Sequence, residues 1–559
     1  MCVRHYGAVP WSQHDPRPEL IRNVLDFDVQ NLASVPGPAA PLCAKPRLTL
    51  RLVLSFGRRA LSIQCLSYIS CAGSFWMILH INHIQPERVA LTSSVVSTLI
   101  SIAGEARIPP RVLENLNVHL DWVQYKANFR EAVTLRRATR GEELLPWVEV
   151  GVDLRQLELE TLKNEFVNAL EHSPDKSRDG QKRVYIESFT PMRSSLIWKF
   201  NDLFWQHLPL WEAASGKGYD QALPSGKSDA NHPEAVADAV ADFWTLLKDL
   251  ENHNQLPPEI FVLEIGVGTG KRAALWLDRF RSLDRERGTQ YYPRIRFLLG
   301  DYSMPTLNRA METVREHREL GSFLAVDAVD PFKSLSFLRY KVLSIHLTNV
   351  YDNLPTDEIV VRDGKLYAVE VRSYVPAAAA ASISESFGIP VTEFARTVNR
   401  LLEVGPQHVH PSGAEQGVAF WRSAWDAIRL EERFVAIQSI LDAPLPAGLK
   451  PALLENFVAQ AVSNQRFQLS SAAVESFLNT VPLLHPRGYL QVQDIFVAKL
   501  EDYGRMFRGP GKLDGSIVNW VNGALLAQVG AQAGYDVHFA PFQYRPGSRT
   551  SILYTTQRE

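Results

Sequence analysis

Apolar positions in this chain come in two rhythms. Short, mainly apolar runs at 261–265, 295–300, 323–326 and 342–347 suit strands covered on both faces. Elsewhere apolar residues recur three or four apart, as in Ala235, Val236, Val240, Phe243 and Leu246 before the first run and in residues 271–280 after it. Asn231 stands where its side chain can cap the earlier helix at His232, with Glu234 reaching back. Strand and helix therefore alternate, which predicts an α/β fold with a doubly wound, mostly parallel sheet.

The alternation is then interrupted. Residues 359–361 and 367–371, separated by Arg362-Asp-Gly-Lys, predict a β-hairpin. Residues 382–479 read as helical text broken by Pro444, Pro446 and Pro451. An insertion of about a hundred residues at the ligand end of a sheet suits a substrate lid. A strand at 489–497 resumes the sheet, and a helix at 516–533, stopped by Gly534, precedes a strand pair at 535–539 and 551–555. Upstream, 112–123 reads as helix, 131–136 and 147–152 as strands, and 154–172 as helix, together an N-terminal accessory α+β region. Residues 173–182 read as a linker, and Trp198, Phe200, Phe204, Trp205 and Trp211 recur near one helical face and are assigned to core packing.

Composition adds limits. With 46% hydrophobic and 21% charged residues the chain is globular, and a net charge of -2 gives no global argument for a nucleic-acid partner. The four cysteines, Cys2, Cys43, Cys65 and Cys71, lack the spacing of a zinc ribbon or redox dithiol, and no metal is expected. Residues 1–46 are proline-rich and without period. Residues 60–81 carry no formal charge after Arg58-Arg59, which raises a membrane-spanning reading; four serines, Gln64 and His80 favour a buried hairpin or an unstructured extension, so no membrane partner is expected.

The chemistry gathers at the end of the first run, Glu264-Ile-Gly266-Val-Gly268-Thr-Gly270. Counted from Gly266 the sixth position is Lys271, so the dinucleotide fingerprint fails in that frame, while counting from Gly268 reaches the tolerated Ala273. Asp301 closes the second run, at the place where an acid accepts a ribose hydroxyl pair, and Asp327 with Ala328 follows the third. His346 lies inside the fourth run and reads as a core histidine.

Glu-x-Gly-x-Gly-x-Gly with these acids resembles the class I S-adenosylmethionine (SAM) dependent methyltransferases. The resemblance implies a seven-stranded sheet completed by the terminal strand pair and SAM as cofactor. It also implies Glu264, Gly266, Gly268 and Gly270 at the methionine end, with the acid holding either the amino group or the turn. Asp301 falls at the ribose, and Asp327 and Ala328 beside the adenine. The segment Thr348-Asn-Val-Tyr-Asp-Asn-Leu-Pro355 is similar to Asn-Glu-x-x-Asp-Ala-Leu-Pro of the MidA-like methyltransferases, with Thr348 and Asn349 in place of the Asn-Glu pair. In that family a loop corresponding to 216–234 closes over the cofactor, and some members methylate arginine in a partner protein during respiratory-complex assembly.

The acceptor side is expected at Asn349, Tyr351 and Asp352, beside Asn353, with Asp352 taking a proton or orienting a guanidinium. The expected function is methyl transfer to a protein side chain, arginine included, or to a small molecule. The alternatives are a catalytically silent SAM-binding scaffold or assembly factor and an aminopropyltransferase. The expected organisation is an extension at 1–107, an accessory module at 108–180, the first part of the SAM-binding sheet at 190–358, hairpin and helical lid at 359–485, and the end of the sheet at 486–559. A cytoplasmic location is expected, with the mitochondrion as the alternative.

Overall fold

The computed structural model describes residues 183–558 apart from 224–225, 363, 462–464 and 505–507, most of 116–171, and short segments between 47 and 102. Residues 1–46 and the expected linker at 173–182 lie outside the described residues. Three strands come first, β1 (Leu116–Asp121), β2 (Val133–Arg140) and β3 (Glu143–Asp153). Helices α1 (Leu196–Gln206), α2 (Leu208–Ser215), α3 (Tyr219–Ala222) and α4 (Pro233–Asn252) lead to β4 (Ile260–Ile265). Then α5 (Lys271–Glu286), β5 (Ile295–Asp301), α6 (Met304–Thr313), β6 (Gly321–Ala325) and β7 (Val342–Thr348) alternate. The strands β8 (Glu358–Arg362), β9 (Lys365–Pro376), β10 (Arg429–Ile437) and β11 (Gln465–Gln468) follow. The chain ends through α7 (Ser471–Thr480), β12 (Leu484–Asp494), α8 (Gly523–Ala533), β13 (Tyr535–Pro541) and β14 (Ser551–Gln557).

Seven strands form one sheet in the order β6-β5-β4-β7-β12-β14-β13. All point the same way except β14, which is antiparallel to both neighbours. The strand order reverses between β4 and β7, and the crevice at their carboxyl ends is where open sheets of this kind hold ligands. On one face Val240, Phe243, Leu247, Trp276 and Phe280 pack on Val262, Phe297 and Leu299. On the other, Phe477, Leu525 and Leu526 pack with Ile345, Leu347 and Val492, so both faces are covered.

A second, mixed sheet joins the early strands to the insertion, with neighbours in the order β1-β3-β2-β10-β9-β8-β11. Arg362 at the end of β8 forms an ion pair with Glu149 of β3 across 2.7 Å, although β9, β10 and β2 lie between them. Four strand spacings in a flat sheet would separate them by about 19 Å, so the sheet is rolled and brings its two halves face to face. Inside the roll, Glu432 forms ion pairs with Arg130 (3.2 Å), Arg136 (2.7 Å) and Arg466 (2.9 Å), and Arg466 also grips Glu358. Glu149 takes Arg136 at 2.6 Å. Gly151 is glycine because a Cβ there would stand 2.3 Å from the Arg136 guanidinium.

Several local readings are corrected. Residues 116–121 form a strand, not helix, because Leu116, Val118 and Leu120 alternate with polar residues at period two. The stretch 382–479 is not wholly helical: it contains β10 and β11, whose interior charges, Glu432 and Arg466, obscured the strand pattern. The helix before β4 starts at Pro233 with His232 at its cap position and no side-chain cap; Ser228, not Asn231, caps the turn preceding it. The expected helix at 516–533 begins only at Gly523, capped by Asn522, after a short strand at Ser516–Val518. Residues 60–81 contain the strands Ala60–Ile63, Leu66–Ser70 and Gly73–Ile81, and among the described residues no helix is long and apolar enough to cross a membrane.

Burial alone would raise the pKa of Glu432, yet Arg130, Arg466 and Arg136 hold it well below the ordinary carboxylate range. Removing it leaves three guanidinium groups short of their counter-charge. Glu432→Ala is expected to cost about 3–5 kcal/mol in urea unfolding, and a loss below about 1 kcal/mol, typical of an exposed pair, would show that the network does not hold the two halves together.

Candidate functional site

The turn after β4 owes its shape to three glycines, all with left-handed φ: +73° at Gly266, +55° at Gly268 and +76° at Gly270. Two of them are also sterically required. A Cβ on Gly266 would lie 2.4 Å from Val350 Cγ2, and one on Gly270 would lie 2.9 Å from the Ala310 backbone. Gly268 differs, since a Cβ there would meet nothing within 4 Å. The turn is thus packed at both ends and open in the middle, a cradle that a cofactor can approach at the backbone.

Glu264 and Arg272 fasten this turn from beneath. Both are buried, and the Arg272 guanidinium donates to Glu264 Oε2 at 2.8 Å, joining the strand before the glycines to the helix after them. Burial pushes the Glu264 carboxyl up and Arg272 pulls it partly back. Of the two roles foreseen for this acid, its contacts are those of a brace for the turn.

Asp301, at the tip of β5, accepts the backbone N–H groups of Ser303 (3.0 Å) and Gly268 (3.4 Å). Burial outweighs these bonds and pushes its carboxyl up to about 6. A hydroxyl pair presented to it would find an acceptor already aimed by backbone groups. Asp327 is exposed and accepts the Val329 N–H at 2.8 Å, while Ala328 is half-buried against the core.

Across the crevice, β7 ends at Thr348 and the chain turns through Asn349, which has φ +51° and donates its N–H to the Gln493 carbonyl at 3.0 Å. The following tight turn, Tyr351–Asn353, places Asp352 beside Asp494, the last residue of β12. Asp494 Oδ2 accepts the N–H groups of Tyr351 (2.9 Å) and Asp352 (3.2 Å), and its Oδ1 accepts that of Ile495 (2.7 Å). Both carboxyls are buried. Burial and then the Asp494 charge raise Asp352 well above the carboxylate range, and burial pushes Asp494 up to about 7 despite its backbone donors.

Not every expected residue reaches the crevice. Tyr351 is 1% exposed and belongs to the core with Ile359, Val474 and Phe477. Asn353 braces the turn: its Nδ2 donates to Asp352 Oδ1 (2.8 Å) and to the Asn349 carbonyl (3.1 Å), and its Oδ1 accepts Trp205 Nε1 (3.1 Å). His346 is buried between Gln491 (3.2 Å) and Thr348 (2.6 Å), and burial followed by Arg272 holds it well below its ordinary pKa.

Two tyrosines come to Asp352 from distant parts of the chain. Burial and then the Asp352 charge raise the hydroxyls of both Tyr125 and Tyr219. Tyr125 is held by the pairing of Ala127–Asn128 with Gly511–Leu513, and its ring fills the space where a Gly511 side chain would stand, 2.2 Å from an added Cβ. Tyr219 opens α3, whose Asp220 reaches Lys271 in the first turn of α5 at 3.1 Å, so α3 spans from the glycine turn to Asp352. Asp494 carried the same signal as Asp301, an acid at a strand tip. Nothing in the sequence near Tyr125 connects it to this place. Among the described residues no group of three His, Cys, Asp or Glu side chains is placed to hold a metal.

Comparison with known proteins gives distant likenesses. No protein-family profile and no curated protein matches the chain. An uncharacterized COG1565 superfamily protein from Burkholderia thailandensis is 13% identical, with 66% of this chain and 87% of that one covered at a TM-score of 0.38. Another COG1565 superfamily member from Burkholderia thailandensis, bound to S-adenosyl-homocysteine, is 13% identical over 66% of this chain and 88% of its own, at 0.37. The CcbJ methyltransferase from Streptomyces caelestis is 12% identical over 61% and 95%, at 0.29.

An aspartate in the unfolded chain ionises near pH 3.9. Asp494 in the fold ionises near 7, so between these values the folded protein keeps a proton that the unfolded chain has lost. The stability this group contributes is complete at low pH and is lost as pH rises from about 4 to about 7. Asp494→Asn cannot ionise, so its urea midpoint is expected to fall less than that of the wild type across this window. Parallel curves for the two proteins would contradict the assignment.

Proposed function

We propose that the chain is a SAM-dependent methyltransferase whose donor half is the Gly266–Gly270 turn with Asp301 and whose acceptor half is the turn bearing Asp352. The observation that carries this reading is the open cradle at Gly268, bonded to a buried, backbone-aimed Asp301 and facing a buried carboxyl pair across one sheet edge. The turn braced by Glu264 and Arg272 would receive the methionine end, Asp301 the ribose, and Asp327 with Ala328 the adenine side. When bound, SAM supplies a sulfonium methyl group, which passes to an electron pair of the acceptor while sulfur keeps the bonding pair.

The protein's contribution is to hold donor and acceptor at attack distance and to keep water out. Once ionised, Asp352 is the group placed to take the proton the acceptor releases, and burial with the Asp494 charge beside it makes that carboxylate hold the proton strongly. Asn349 lies at the same strand tip, whereas Tyr351 supports the turn from the core. Fitting acceptors are a protein side chain, arginine included, or a small molecule. The Asp352–Asp494 pair also suits a cationic polyamine, which keeps aminopropyl transfer as the second reading, and binding of decarboxylated SAM in preference to SAM would decide for it.

Gly268→Val is expected to abolish SAM binding in calorimetry, because the side chain would fill the cradle and strain a left-handed residue; wild-type affinity in that variant would overturn the assignment. Asp301→Ala is expected to weaken SAM binding about 10- to 100-fold, the loss of a charge-assisted bond to a hydroxyl pair. An unchanged dissociation constant would move the ribose elsewhere.

A further inference from the structure

Helix α1 ends beside both halves of the site. Ser303, which follows Asp301 by two residues and gives it a backbone N–H at 3.0 Å, donates its hydroxyl to the Trp205 carbonyl at 3.0 Å. That carbonyl lies in the last turn of α1, where the helix provides no partner of its own. The Trp205 indole N–H in turn donates to Asn353 Oδ1 at 3.1 Å, and Asn353 Nδ2 donates to Asp352 Oδ1 at 2.8 Å. Four hydrogen bonds thus run without a break from Asp301 to Asp352. A second route leads the same way: the Trp205 ring meets Tyr219 edge-on at 4.8 Å between centroids, and Tyr219 is one of the two tyrosines beside Asp352.

Each link is fixed at both ends. Ser303 is buried and also caps α6, accepting the Thr306 N–H and hydroxyl at 3.4 and 2.9 Å, so it cannot turn away without loosening that helix. Asn353 is held by its own carbonyl, which accepts Asn201 Nδ2 at 2.9 Å, and Asn201 belongs to the same helix as Trp205. The Asn353 amide has one orientation that satisfies Trp205, Asn349 and Asp352 together. If the indole is lost, that orientation loses its only donor on the oxygen side among these bonds, and the amide can turn its nitrogen from Asp352.

We infer that Trp205 is a positioning residue that couples occupancy of the Gly268–Asp301 half to the setting of Asp352 in the acceptor half. This rests on the methyltransferase reading given above, since it takes the ligand of the first half to be SAM or its demethylated product. Engagement of Asp301 stiffens Ser303, which holds the end of α1, and the indole passes that constraint to Asn353 and Asp352. Trp205 touches neither donor nor acceptor in this account. Its part is to make the two halves respond to one another.

The test is a double-mutant cycle read by calorimetry with S-adenosylhomocysteine as probe. Asp352→Asn is expected to weaken binding of the probe about 5-fold in the otherwise native chain and less than about 2-fold in the Trp205→Phe background. A Trp205 with only a packing role would shift affinity equally with and without Asp352, so the non-additivity is the decisive quantity. The same cycle with Ser303→Ala, which cuts the chain at its other end, is expected to show the same loss of coupling and serves if Trp205→Phe does not fold. Equal effects of Asp352→Asn in native and cut backgrounds, including no effect in either, overturn the inference while leaving the methyltransferase reading intact. Failure of the wild type to bind the probe overturns both.

Discussion

Four arginines, Arg130, Arg136, Arg362 and Arg466, lie within the rolled sheet with Glu149, Glu358 and Glu432 among them. A guanidinium removed from water needs a counter-charge close by, and for Arg130, Arg136 and Arg362 a counter-charge comes from the other half of the sheet. The early strands supply Glu149 to Arg362 of the insertion, and the insertion supplies Glu432 to Arg130 and Arg136 of the early strands. Together with the backbone pairing of β2 with β10, these cross-sheet pairs hold the early strands to the insertion.

The seven-stranded sheet was readable because its central strands β4, β5 and β7 are buried on both faces and appear as mainly apolar runs. Glu264, the glycines at 266, 268 and 270, Asp301 and Asp352 stand at or just after the ends of those runs, which is why they could be read as candidates and why they lie along one sheet edge. Tyr351 was placed at the crevice by its position in the turn alone, and a turn of three residues sends neighbouring side chains in different directions; its ring went into the core. The second sheet was read only in part: its strands near 131–136 and 147–152 and its hairpin at 359–371 were expected, while β10 and β11 were not, for the opposite reason. Its interior is charged, so β10 reads Arg-Leu-Glu-Glu-Arg and imitates a solvated helix. Binary patterning assumes that the inside is apolar, and here it is not.

The three glycines of the turn, alike in sequence, divide their work. Gly266 and Gly270 are confined by Val350 and by the Ala310 backbone, and in this way the glycine turn is tied to both the acceptor turn and helix α6. Gly268 alone leaves space. Val350 stands two residues before Asp352, so the contact that forbids a side chain at Gly266 also ties the glycine turn to the turn bearing Asp352.

The pairing of β2 with β10 joins Arg137 to Arg433, residues separated by about 300 positions in the chain. At a synthesis rate of about 5–20 residues per second, β2 waits on the order of 15–60 seconds before its partner exists. For that interval the early strands present an unpaired edge and arginines without their glutamates, a state open to pairing with another chain. The cross-sheet charges that lock the finished molecule thus reach their partners only after the insertion has been made, and the edge of β2 is completed only then, by its distant neighbour.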